Sequence, residues 1–193
     1  MGSICTRGED MVVSNYIPSK ILIGSKMSGI VFLNSGPQRG REDYVTLQTE
    51  DWKRGPDGTH NFNIETITYR EFSFTMWDIG GDTATPELYK YHVHEIAAII
   101  YVVDSDASGR LEEARRQLDA VLSNDEISGI PLLVLANKHD QPGATSVDLI
   151  SEALTLRNQT RPWHVQPTSA VTSQGINEGM DWLLMELTRK PYI

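Results

Sequence analysis

The sequence holds one cysteine, Cys5, in 193 residues. No internal disulfide can form and no cysteine-based zinc site can be built, so a reducing compartment is the expectation. Basic residues are scarce: 17 Lys and Arg face 26 Asp and Glu, for a net charge of −9. General nucleic-acid binders draw affinity from neutralising phosphates, so no nucleic-acid partner is expected, although a local basic patch stays open. Long apolar runs are absent too. None approaches the ~18 residues of a spanning helix, and Met1 to Asp10 lacks the apolar stretch of a secretory signal. No internal repeat and no low-complexity tract is visible. What is there is a near-average globular composition, 39% hydrophobic and 22% charged. The length suits one domain with a full core.

Apolar runs alternate with helical patterns along the chain. Lys20 to Gly24 (K-I-L-I-G) reads as a short buried strand. Phe62 to Tyr69 and Glu71 to Asp78 both alternate with period two, so they predict a hairpin turning near Arg70. Ala97 to Val103 and Pro131 to Ala136 are nearly continuous apolar runs, as in central parallel strands covered on both faces. Trp163 to Pro167 is a weaker strand. Leu111, Ala114, Leu118, Val121 and Leu122 recur at helical spacing, as do Ile176, Met180, Leu183, Leu184 and Leu187. Strand alternating with helix predicts a doubly wound α/β domain, whose ligands bind at the carboxyl ends of strands. Residues 33–59 stand apart: rich in Gly, Pro and mixed charge, they read as a long irregular excursion.

Three motifs lie at predicted strand ends. Asn137-Lys138-His139-Asp140 follows the Pro131–Ala136 strand. A carboxylate with two acceptor oxygens can take both N1–H and the exocyclic amine of guanine, a donor pair that adenine lacks. An Asn beside it can fix the loop or the purine edge, and a Lys stem can lie along the ring; a polar turn capping a strand is the plainer alternative. Trp77-Asp78-Ile79-Gly80-Gly81 closes another strand. There Asp78 could hold Mg²⁺ through water and a glycine N–H could approach a terminal phosphate, or the segment is an ordinary turn. Thr168-Ser169-Ala170 follows the last strand, where backbone N–H groups could bond the guanine oxygen.

Taken together, these motifs resemble the small GTPase superfamily and, within it, the ADP-ribosylation-factor (Arf/Arf-like) family. The resemblance runs from Phe62 to the C-terminus on W-D-I-G-G at 77–81, Y-V-V-D-S at 101–105, L-A-N-K-H-D at 135–140 and E-G-M-D-W-L at 178–183. It implies a mostly parallel six-stranded sheet with one antiparallel hairpin strand, over residues 19–190. It implies GTP or GDP as ligand, with Mg²⁺, and exchange factors, activating proteins and effectors as partners. It also implies a role in membrane or vesicle traffic, in the cytoplasm and peripheral on endomembranes. Asn137, Lys138, Asp140, Ser169 and Ala170 would read the base, and Gly81 would approach the phosphate. Thr59 and Asp78 would hold the metal. Residues 1–18 form an extension in which M-G-x-x-x-[ST] marks Gly2 for myristoylation. One acyl chain binds membrane only marginally, so a second signal is needed: palmitoylation of Cys5, or an apolar stripe of Met11, Val12, Val13, Tyr16 and Ile17. An unmodified Cys5 thiol is the plainer reading.

The phosphate end departs from the family pattern. A G-x-x-x-x-G-K-[ST] loop should follow the first strand. The chain reads Gly24-Ser25-Lys26-Met27-Ser28-Gly29-Ile30-Val31. Both glycines stand in place, but Ile30 brings no charge and Val31 no oxygen. A hydrogen bond to a charged group contributes roughly 1.5–3 kcal/mol, so losing the ammonium weakens triphosphate binding by about one to two decades. Lys26 could reach a phosphate from another side, or stand solvated. Asp82 replaces the Gln that orients the attacking water, so hydrolysis is expected to be poor. His92 stands where the family's third interswitch aromatic would accompany Phe62 and Trp77. The alternative function is a non-catalytic scaffold that keeps the fold without nucleotide turnover. His92 and His94 lack metal-ligand spacing, and Glu112, Glu113, Arg115 and Arg116 read as a solvated helix face.

Overall fold

The computed structural model describes residues 28–34, 53–54, 61–70, 72–80 and 96–189. Seven strands form one sheet in the order β2-β3-β4-β1-β5-β6-β7. They are β1 (Ser28–Asn34), β2 (Lys53–Arg54), β3 (Asn61–Tyr69), β4 (Phe72–Gly80), β5 (Ile96–Asp104), β6 (Leu132–Asn137) and β7 (Trp163–Pro167). Among the described residues three α-helices accompany them: α1 (Leu111–Leu122), α2 (Val147–Ala153) and α3 (Ile176–Arg189). β5, β6 and β7 pair in parallel, Asp104 facing Asn137 and Ala136 facing Pro167. β3 and β4 form the expected antiparallel hairpin, with Tyr69 opposite Phe72 and Arg70 turning at φ +54°.

Pleating sorts β5 and β6 to two sides. Ile99, Tyr101, Val103, Leu132, Val134 and Ala136 pack with Leu118 and Val121 of α1 and Ile150 of α2. Ala98, Ile100, Leu133 and Leu135 pack with Ile176, Met180 and Leu183 of α3 and with Phe74 and Met76 of β4. Helices on both faces make the domain a doubly wound α/β layer, and they explain why these strands are apolar at successive positions. The Tyr101 hydroxyl donates to the Ala114 carbonyl at 2.9 Å inside the first of these cores. At the start of α3, Gly175 sits at φ +77°, and a Cβ there would lie 2.0 Å from the Pro167 carbonyl oxygen. Only glycine lets the helix begin this close to β7.

The first strand differs from expectation. Lys20–Gly24 lies outside the described residues, as do Gly24, Ser25, Lys26 and Met27 of the expected phosphate loop. Ser28, Gly29, Ile30 and Val31, which should complete that loop, are instead the first four residues of β1. This strand runs antiparallel to both neighbours, with Val31 opposite Asp78 of β4 and Ile100 of β5. The physical reason is in the substitutions. Ile30-Val31-Phe32-Leu33 is β-branched and aromatic, a strand-forming run where the family pattern has Lys and a hydroxyl. β2 adds a seventh strand within the expected 33–59 excursion, and β1 extends into its start. Even so, β2, β4, β5, β6 and β7 share one direction, opposed only by β1 and β3.

Candidate functional site

The ends of β5, β6 and β7 lie side by side and deliver the loops that carry the motifs. β6 ends on Asn137, which is buried, and the chain turns sharply at Lys138 with φ +63°. That turn is closed by the Gln141 N–H donating to the Lys138 carbonyl at 3.0 Å. The next loop is held to its neighbour by the His139 N–H donating to the Thr168 carbonyl at 2.9 Å.

Asn137 ties two loops together. Its Oδ1 accepts the Ala170 N–H at 3.0 Å, while its backbone carbonyl accepts the Ser105 N–H at 2.9 Å. Asp140 is exposed, and its carboxyl is held below the usual carboxylate range. The Ser169 hydroxyl is the largest cause, with a further contribution from the Gln141 amide, which donates at 2.7 Å. Ser169 is itself buried, and its oxygen accepts the Thr172 N–H at 3.2 Å. The cluster therefore presents an anionic acceptor at 140, and it commits the backbone N–H at 170 to Asn137.

The Lys138 ammonium lies 2.6 Å from Asp104 Oδ2. Asp104 is almost wholly buried, and its Oδ1 accepts the Asp106 N–H at 3.0 Å. Sequence reasoning assigned no role to Asp104, although an acid closing an apolar strand was a visible signal. It gave no role to Ser105 and named Thr168 only as part of the third motif; the hydroxyls of both are buried without a hydrogen-bond partner among the described residues.

Other expected site residues are not brought to this cluster. Gly2, Cys5, Thr59, Gly81 and Asp82 lie outside the described residues. Asp78 is placed by its backbone in β4, opposite Asn63 of β3 and Val31 of β1. Among the described residues no group of three or more His, Cys, Asp or Glu is placed to hold a metal ion. Val31 offers no oxygen where the family pattern supplies a hydroxyl ligand to Mg²⁺.

A parallel β5–β6–β7 unit with polar loops at its carboxyl ends is the arrangement of a doubly wound α/β domain, whose ligands bind at those ends. The ADP-ribosylation factor family model matches residues 45–187. "ADP-ribosylation factor K" of Dictyostelium discoideum is 44% identical over 133 residues, which is 68% of this chain and 71% of that protein. "ADP-ribosylation factor J" of the same organism is 41% identical with the same coverage. Among solved structures, the Arl6 BBS3 small GTPase from Trypanosoma brucei, with the bound nucleotide analogue GppNp, aligns with a TM-score of 0.63 and 27% identity. That alignment covers 75% of this chain and 86% of that one. The chain belongs to the ADP-ribosylation factor family of small GTPases.

Proposed function

We propose that the protein is a guanine-nucleotide-dependent regulator of membrane or vesicle traffic whose grip on the phosphates is weakened and whose hydrolysis is poor. The Asn137 bridge to Ala170, beside an Asp140 kept anionic, is the observation that carries this reading. In it Asn137 and Asp140 take the guanine edge, Lys138 lies along the ring, and Ser169 and Ala170 close the pocket. Gly24 to Met27 and Gly81 meet the phosphates. Thr59 and Asp78 hold whatever Mg²⁺ is bound, and Asp82 repels the terminal phosphate.

Family membership supports exchange factors, activating proteins and effectors as partners. It also supports a peripheral, cytoplasmic place on endomembranes, with Gly2 and Cys5 as acylation sites. No helix among the described residues is long and apolar enough to cross a membrane. The net charge of −9 argues against nucleic acid.

A second reading, a scaffold without nucleotide turnover, is favoured by one observation. Gly29–Val31 are paired on both sides in β1, so their backbone groups face strand partners rather than a phosphate. Denaturing the purified protein and chromatographing what it releases separates the two readings. Stoichiometric GDP or GTP supports the switch. An empty protein whose Tm does not move with millimolar GTP and Mg²⁺ supports the scaffold.

A further inference from the structure

Asp104 ends β5 directly opposite Asn137. Its side chain is 9% exposed. One oxygen is committed to its own loop through the Asp106 N–H, which fixes the carboxylate and leaves Oδ2 aimed at the Lys138 ammonium, 2.6 Å away. Lys138 is 54% exposed. A lysine that exposed, with no such hold, spreads over many rotamers, and a ligand that packs on its stem must first order it.

We infer that Asp104 is a positioning residue for guanine-nucleotide binding, acting through Lys138 and not touching the base. With the ammonium held at the end of β5, the lysine stem spans from β6 to β5 and is ordered before a purine arrives. The inference rests on the guanine reading above. A neutral amide at 104 would keep the loop acceptor and avoid burying a charge, a cost that a partly exposed bridge repays poorly in stability. What only the carboxylate adds is its hold on Lys138.

The test uses the full chain stripped of nucleotide, with fluorescently labelled GDP and IDP as probes. Asp104→Asn is expected to weaken both about tenfold, the loss of one charge-assisted contact. The preference for GDP over IDP stays unchanged, because Asp140 is untouched. In a Lys138→Met background Asp104→Asn adds no further loss. Lys138→Arg, whose longer head still reaches the carboxylate, binds more tightly than Lys138→Met, and this arm needs no change at 104.

Wild-type affinity in Asp104→Asn overturns the inference. So do losses that multiply in the double variant, a collapsed preference for GDP over IDP, or equal binding by Lys138→Arg and Lys138→Met. Each of these outcomes leaves the guanine reading standing. A wild-type protein that takes neither probe overturns the guanine reading, and the inference with it.

Discussion

The phenol of Tyr69, at the end of β3, donates to the carboxylate of Asp181 on α3. The guanidinium of Arg70 grips the same carboxylate at 2.8 and 2.6 Å. The hairpin is thus fastened to the helix that covers the sheet, by two adjacent residues at its turn.

That fastening predicts losses of stability at both ends of the pH scale. Burial first, then the anionic Asp181, pushes the Tyr69 hydroxyl up to about 12. Above about pH 10 the unfolded chain ionises before the folded one, so this contribution is present below about pH 10 and is lost towards pH 12. Asp181 is held low, chiefly by Arg70. Its contribution is present above about pH 4 and is lost as pH falls through the lowered folded-state value. Tyr69→Phe should cost about 1.5 kcal/mol in urea unfolding at neutral pH, the lower end for a hydrogen bond to a charged group. It should also remove the share of the alkaline loss that tracks tyrosinate absorbance.

In the proposed guanine reading, Asp140 sets the acid limit of base recognition. Because its carboxyl is held below the usual range, the anionic acceptor persists as pH falls through about 4. Affinity for labelled GDP should stay level down to that point wherever the protein remains folded. Asp140→Ala should remove most of the preference for GDP over IDP, since inosine lacks the amine that the carboxylate accepts. Equal discrimination in the variant would place the guanine contact elsewhere.

Gly175 is a structural requirement. Alanine there meets both a left-handed φ and the Pro167 carbonyl. The backbone term alone is about 1–2 kcal/mol. With the clash added, Gly175→Ala should lower stability by more than about 2 kcal/mol, read as a fall in Tm.

The phosphate end can be tested by restoration. Ile30→Lys with Val31→Thr should tighten GTP binding in the presence of Mg²⁺ by about one to two decades. Isothermal titration would read it. Unchanged affinity with a lowered Tm would show that these positions serve strand β1 and not the ligand.

Much of this arrangement was legible in the sequence. β5 and β6 were readable because strands covered on both faces are apolar at every step, and the hairpin because one half-buried ribbon alternates. Asn137 and Asp140 could be singled out as candidates because their chemistry is local. Asp104 was not, since its partner lies 34 residues away and an acid at a strand end looks like a turn. α2 was missed because seven residues give barely two helical turns, and Leu149 points its apolar side chain outward, 57% exposed. Ser28–Asn34 was not read as a strand because it begins within the expected phosphate loop. Glycine spacing favoured a loop where side-chain branching favoured a strand.

The contacts that bind Asn137, Lys138 and Ala170 run among the termini of three consecutive parallel strands. The partners in these bonds all come from Asp104 onward. A lineage built on this plan can let one half of its machinery decay while selection still polishes the other, and degeneration of the two halves need not proceed at the same pace.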